Sequence, residues 1–425
     1  MMEGVQQRNP RDPRAAYGRV RDAGLAGGPV PGPYDGETYY DRPVLKPSPF
    51  DWKVSLYIYL AGLSGSAQVL ATMADLAGSG RSRTIVRNGR HIALIAVALG
   101  PPLLIIDLHT PQRFYNMLRI FRRTSPMSIG TYILSGFSLF SLTAAAADFL
   151  AERSGPGQIG AKLLPGRPGV ARTIATAAGI PAALFGAGMS TYTAALLAAT
   201  STPLWSAAPR LLGVRFASSA VATAAAALSL SARVDGDPES AGTLDDVAAA
   251  ATAIDLVASV AADREYEAEG VDGALRETKW GAMHTVGALA IGAVLPLACY
   301  ALAKSRPGTA AANAARSGSG GGDSRERGKR DRRSRNGGAG RSSAALSVLA
   351  SLAVLAGGMM TRHSIMQAGN ESAKRPRDYF RHAQPRLADG SRPTSQRIEA
   401  AQRTPPRYDV DPTGDGRLHR ETMPA

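Results

Sequence analysis

Asp107, His109, Arg113, Asn116 and Arg119 fall within thirteen residues of the stretch IIDLHTPQRFYNMLRIFRRTSPMSI, which runs from Ile105 to Ile129. A carboxylate and a histidine this close can pass protons between water and a redox-active ligand, because histidine titrates near neutral pH and desolvation raises a carboxylate. The same residues admit a plainer reading, in which Arg113, Arg119, Arg122 and Arg123 snorkel to lipid headgroups while Asp107 pairs with one of them. Composition alone does not separate the two. Further candidates lie inside or beside apolar runs. Asp75 and Asp255 are default proton-path residues for a membrane segment, although an inter-helix hydrogen bond is the simpler role for Asp255. Tyr57, Tyr59 and Tyr192 offer hydroxyls, or serve as interfacial anchors.

The elements that must position these groups are long apolar runs. The chain has 425 residues, 44% hydrophobic and 20% charged, and its mean hydropathy of -0.09 averages an apolar middle with polar ends. Between Trp52 and Ala303 the sequence reads as runs of roughly 18 to 26 apolar and small residues, the length a helix needs to cross a bilayer. The predicted spans are Trp52 to Ala77, His91 to Ile106, Ile129 to Leu150, Val170 to Ala199, Val214 to Ala232, Leu244 to Ala262, Trp280 to Ala303, and Ser343 to about Met360. The sixth carries Asp245, Asp246 and Asp255 and is a span only if those carboxylates face other helices or lie near an end. Pro101 and Pro102 are expected to kink or loosen the second. Gly62, Ser64, Gly65 and Ser66 are small enough to admit a neighbouring helix closely. The expected architecture is an all-α integral membrane protein of about eight transmembrane helices.

Around this core, residues 1–45 read as a disordered tail, 46–303 as the membrane domain, 304–342 as a basic low-complexity loop, 343–362 as the eighth span and 363–425 as a polar tail. The first fifty residues contain no apolar signal region, so the first span is expected to direct its own insertion. The basic loop is read as a topology signal touching anionic lipid rather than as a nucleic-acid site. Loops after the odd-numbered spans hold about twice the Lys and Arg of the others, which places them in the cytoplasm and puts both termini and the Asp107 to Ser128 loop outside. The one cysteine, Cys299, cannot form a disulfide within the chain or assemble a thiolate metal centre. No pair among His91, His109, His284 and His363 is placed as an obvious bis-histidine haem site.

The run LIIDLHTPQRFYNMLRIFRRTSPMSIGTYIL resembles the Asp-Leu-Gly-x-Pro-x-Arg-Phe, Asn-Met-Leu-Arg, Ser-Pro-Met-Ser signature of the polysulfide reductase membrane-subunit family, the NrfD-type proteins. Weaker similarity reaches YYDRPVLKP with the first span, TYTAALLAATSTPLW in the fourth and RHSIMQAGNESAKRP after the eighth, covering about residues 39–380. The resemblance implies an inner-membrane subunit that exchanges electrons between quinone, menaquinone by expectation, and a peripheral iron–sulfur protein serving a molybdopterin-type catalytic subunit. It further implies that the first four helices form a bundle holding the quinone near the outer face, and that the chain carries no haem or iron–sulfur cluster. By the same resemblance the signature aspartate and arginine fall on Asp107 and Arg113, the Asn-Met-Leu-Arg element on Asn116 to Arg119, and a quinone-contacting tyrosine on Tyr192. Sulfur-reducing members place an asparagine and a histidine where this chain has Val54 and Tyr57; the tyrosine retains a hydrogen-bonding group and the valine does not. Where the motif has glycine, this chain has His109, which makes Asp107, His109 and Arg113 the candidate proton-handling set and Tyr57, Tyr192 and Asn116 the candidate quinone contacts.

Two other classes remain open at this point. A transporter would line an ion path with Asp75, Asp107 and Asp255, but residues 50–160 and 170–300 show no similar repeat of the kind many transporters have. A purely structural anchor fits the loss of a polar group at Val54.

Overall fold

The computed structural model describes residues 44–78, 83–107, 111–155, 158–163, 167–305 and 329–383. His109, most of both tails and most of the basic loop lie outside these residues. The described chain is helical, and eight long helices carry it: α1 Trp52–Leu76, α2 Arg83–Asp107, α3 Pro126–Glu152, α4 Pro168–Ala198, α5 Pro209–Val234, α6 Pro238–Glu269, α7 Lys279–Ser305 and α8 Lys329–Lys374. Seven of the described helices, all but α6, are long and apolar enough to cross a membrane.

The boundaries follow from local chemistry. Asp51 caps α1, its carboxylate accepting the Lys53 backbone N–H at 2.7 Å. Ser125 caps α3 ahead of Pro126, and Asp237 caps α6 ahead of Pro238, placing proline in the first turn where its missing N–H costs nothing. Gly270 ends α6 in the left-handed conformation at φ 68°, which glycine adopts without a Cβ clash. Pro101 and Pro102 lie inside α2, and the helix continues through them to Asp107. It also begins earlier than the apolar pattern suggests, at Arg83, so Arg87 and Arg90 of the basic turn are helical. Likewise α8 continues past Met360 to Lys374, because the polar residues beyond Met360 face protein rather than water: Arg362, Ser364 and Ser372 are buried.

Helices α1 to α4 form a closed four-helix bundle in which α1 packs on α2 and α4, and α3 packs on the same two. Small residues set the spacing. A Cβ on Gly65 of α1 would overlap the Gly186 carbonyl of α4, and Ser66 and Ser190 join across the same seam at 2.9 Å. The expected close approach is therefore made by α4 at Gly65 and Ser66, and by Arg362 of α8 and Ala220 of α5 at Gly62. Helices α5 to α8 build a second group, with α6 lengthwise on α5 and α7 on α8, and α1 and α4 join the two halves through α5 and α8. Gly292 and Gly357 bring α7 and α8 together backbone to backbone. Between Met283 and Val294, α7 adopts π-helical hydrogen bonding. Large apolar side chains such as Ile95, Leu139, Leu142, Leu184 and Val257 point outward, as hydrocarbon-facing surfaces require.

The carboxylates of α6 find partners, although the helix is not among those apolar enough to span. Asp245 is buried against Arg233 and Ser229 of α5, Asp246 pairs with Lys304 at 2.9 Å, and Asp255 turns its shielded Oδ1 inward. Residues 44–50 run along the end of α8: Leu45 N–H donates to the Ala373 carbonyl at 3.1 Å and Ser48 Oγ donates to Asn370 Oδ1 at 2.6 Å.

Candidate functional site

Tyr57 enters the first bundle one turn and a half from the start of α1, and Tyr192 enters near the end of α4. Because the two helices run antiparallel in close contact, the rings meet and the hydroxyls hydrogen-bond to each other. The other two helices close on the same point. Gly100 of α2 lies against the Tyr57 ring, where a Cβ would be 3.5 Å away, and a Cβ on Gly130 of α3 would overlap the Tyr192 ring. The walls are apolar: Val54, Ile58 and Phe137 are buried beside the pair, and Leu103, Leu104, Ile133 and Leu134 pack partly buried around it. Two hydroxyls set in such walls can donate to one carbonyl oxygen or pass a proton between themselves. Val54 adds shape and no polar contact.

Around the start of α1 the groups are charged. Lys53 Nζ lies 3.0 Å from Asp51 and 3.5 Å from Asp107, so the first residues of α1 and the last residue of α2 are tied by one ammonium. Burial pushes the Asp51 carboxyl up, but its hydrogen bonds to Lys53 outweigh that and hold it below the usual carboxylate range. Gly100 and Asp107 are seven residues apart on α2, which sets Asp107 about 10 Å along the axis from the tyrosines. It is a rim residue.

The loop beyond Asp107 is built by its own motif. Pro111–Arg113 form a 3₁₀ turn and Tyr115–Arg119 a short helix. Ser128 Oγ accepts the Arg122 N–H at 2.9 Å and donates to the Ile120 carbonyl at 3.2 Å, Tyr132 Oη donates to the Leu118 carbonyl at 2.9 Å, and Phe121 sits edge-on to Tyr132. The serines of the Ser-Pro-Met-Ser element thus cap α3 and pin the loop to it. Arg113 is exposed and Asn116 half-buried, so neither joins the tyrosine pair; Phe114, Tyr115, Leu118 and Phe121 are exposed beside four arginines.

At the opposite end of this bundle, sequence reasoning singled out Asp75 but missed its partners. Arg90, 2% exposed, is gripped by Asp75 at 2.8 Å and Asp148 at 3.0 Å, while Thr176 donates to Asp75 at 2.8 Å, so one knot ties α1, α2, α3 and α4. From Tyr57 to Asp75 is eighteen residues, or about 27 Å of helix, close to the thickness of the hydrocarbon core. The tyrosine pair and the ionic knot therefore stand at opposite membrane faces. Asp75, Asp107 and Asp255 occupy three separate places and do not share a path. Among the described residues no three His, Cys, Asp or Glu side chains gather as a metal site.

The profile of the polysulphide reductase NrfD family matches residues 44–313, which takes in α1 to α7. The chain belongs to this family. It is also similar to the C subunit of polysulfide reductase from Wolinella succinogenes, with 28% identity over 151 residues, 35% of this chain and 47% of that relative. The matched part spans about half the length of that relative. The resemblance read from the Asp107 to Ile129 motif is thereby borne out, as is the all-α membrane architecture with its first four helices bundled. Membership and the seven apolar helices make the chain a multi-pass membrane protein.

Proposed function

We propose that this chain is the membrane anchor and quinone-interacting subunit of a multi-subunit oxidoreductase, exchanging electrons with a peripheral iron–sulfur subunit that serves a molybdopterin-type catalytic subunit. The observation that carries the reading is the Tyr57 and Tyr192 hydroxyl pair, on which all four helices of the first bundle converge within apolar walls.

The donor set fits a quinone head, which needs hydroxyl donors at a carbonyl and apolar surface along its ring and tail. When bound, a quinone supplies a two-electron, two-proton couple, and menaquinone is the expected form. Tyr57 and Tyr192 hold the head by exchanging their mutual hydrogen bond for one to its oxygen. Asp107, fixed by Lys53 at the rim, trades protons with the adjoining water phase; His109, outside the described residues, is assigned to the same exchange by the motif alone. Arg113 and Arg119, with the exposed aromatics of the pinned loop, form the face on which the iron–sulfur subunit docks; Asn116 keeps the quinone contact that the motif assigns it. In this reading the loop and both termini face outward from the inner membrane.

The test is to purify the membrane complex through this subunit and to measure its iron, molybdenum and quinone together with quinol-driven reduction of the bound clusters. Co-purifying iron–sulfur protein, with cluster reduction lost in Asp107→Asn, supports the proposal. A lone subunit without quinone that conducts ions in vesicles supports a transporter instead. An assembled complex indifferent to replacement of Tyr57, Asp107 and Tyr192 supports a purely structural anchor.

A further inference from the structure

Beside the Arg90 knot, on the lipid-facing side of the first bundle, the seam between α3 and α4 holds a groove of about 360 Å³. That is a ligand-sized volume. Ala147 and Ala171, both small and buried, form its floor, while Leu142 and Leu150 of α3 and Ile174 of α4 rise on either side. Asp148, next to Ala147 in the chain, turns inward to Arg90 at 3.0 Å, so the groove backs directly on the knot. Thr143 also lines the groove, but its hydroxyl already donates to the Leu139 carbonyl at 2.8 Å. The groove therefore offers apolar surface and no unpaired side-chain hydroxyl, which suits a hydrocarbon chain and gives a polar ligand nothing to hold.

One end of the groove is positively charged. Arg153 lies one turn beyond Leu150, with its guanidinium 4.1 Å over the exposed Phe149 ring. Arg167 lies one turn before Ala171, at the start of α4. The short helix Ile159–Leu163 brings Lys162 and is seated on the same spot: Gly160 N–H donates to the Arg153 carbonyl at 2.9 Å, and a Cβ on Gly160 would overlap the Leu150 carbonyl. Its Ile159 and Leu163 are exposed, as side chains that lie among acyl chains are. Between Phe149 and Ile174 the chain carries Arg153, Lys162, Arg167 and Arg172 against one carboxylate, Glu152, and none of the four cations forms an ion pair among the described residues. From Leu142 to Arg153 the helix rises about 16 Å, close to one leaflet of a hydrocarbon core about 30 Å thick.

Unpaired cations at the end of an apolar groove one leaflet deep match the two parts of a phospholipid, an anionic headgroup and an acyl chain. A second copy of this chain fits worse, because a two-fold contact through this seam would bring the same cations of both copies together at one membrane face. We propose that the groove binds one anionic phospholipid, whose phosphate is held by Arg153 and Arg167 and whose acyl chain fills the space over Ala147 and Ala171. Lys162 adds attraction for the headgroup from the short helix. The bound lipid closes the α3 and α4 seam behind the Arg90 knot. It sits at the membrane face opposite the tyrosine pair and does not depend on quinone binding there.

The test takes the full chain, purified from membranes with its attached partners, into nanodiscs of phosphatidylcholine that contain phosphatidylglycerol as a minor component. After re-extraction in detergent, native mass spectrometry counts the phospholipid that stays bound. The expected result is phosphatidylglycerol retained in preference to phosphatidylcholine, with the preference falling about fivefold for each arginine removed in Arg153→Gln and Arg167→Gln. Ala146→Phe, which fills the groove from an exposed position, lowers the retained phospholipid by one molecule per copy of the chain. If the arginine variants do not accumulate, that loss in Ala146→Phe carries the same assignment. Equal retention of the two phospholipids overturns the site, and so does retention that neither the arginine changes nor Ala146→Phe alters. An assembly of two copies of this chain that Ala146→Phe separates overturns it as well and gives the groove to the second copy.

Discussion

The two halves of this protein bury arginine in opposite ways. In the first bundle Arg90 touches Asp75 and Asp148 directly, and the knot fastens all four helices at one membrane face. In the second, Arg215 is buried as deeply but has carboxylates within electrostatic reach and none in hydrogen-bond contact among the described residues. Direct pairing makes a rigid frame, which is what the quinone role proposed for the tyrosine pair at the other end of the first bundle requires. Indirect pairing leaves donors and acceptors that can exchange partners.

The comparison can be broken most decisively at Arg90. Arg90→Ala strands two carboxylates and is expected to cost about 3–5 kcal/mol, read as a loss of unfolding free energy in detergent. Arg215→Met, which removes a charge lacking a directly bonded carboxylate, is expected to cost clearly less. Equal losses would erase the distinction between the halves.

A second imperfect pair lies at the end of the second half, outside the spans. Burial pushes the Asp378 carboxyl up to about 6, although Arg375 Nε is 3.3 Å away, and neither atom finds an aligned hydrogen bond. A carboxyl whose folded value exceeds its unfolded 3.8 adds stability that is present below about pH 4 and lost as pH rises through about 6. Asp378→Asn is therefore expected to be more stable than the unaltered chain above about pH 6, by about 3 kcal/mol, with the difference vanishing near pH 4. Unfolding curves across that range would show it, and a difference independent of pH would refute it.

Packing provides a smaller contrast. Gly130→Val drives a side chain into the Tyr192 ring and is expected to cost about 1–3 kcal/mol, whereas Gly213→Ala on α5 meets open space and is expected to gain up to about 1 kcal/mol from helix propensity. Thermal unfolding of the two variants side by side is the check. The smallest stability effect is expected for Tyr192→Phe, about 1 kcal/mol for one lost hydrogen bond, with a disproportionate fall in quinol-driven cluster reduction.

Most of the fold was legible because the hydrocarbon requirement writes itself as apolar runs, and the eight long helices fall where those runs do. The α6 helix was legible only conditionally, since its carboxylates are silent until Arg233 and Lys304 are known to stand beside them. The early start of α2 and the extension of α8 were hidden for the same reason: Arg90, Arg362 and Ser372 read as surface residues unless the helices facing them are known. In the proposed site, the tyrosines and Asp107 were singled out through the motif and its companions, and the structure brings the two tyrosines together. Their separation was not foreseeable, because it depends on the register between α1, α2 and α4. Nor did composition distinguish Arg215 from a snorkelling arginine, and nothing in MHTVGALAIGAV announces a π-helix.

The most direct test of the central claim is quinone binding and quinol oxidation by the intact complex carrying Tyr57→Phe and Tyr192→Phe together. The account predicts an assembled complex that has lost its bound quinone and its quinol-driven cluster reduction, while Tyr59→Phe leaves both in place. An assembled double variant that retains quinone and full quinol oxidation would contradict it and move the site away from the tyrosine pair.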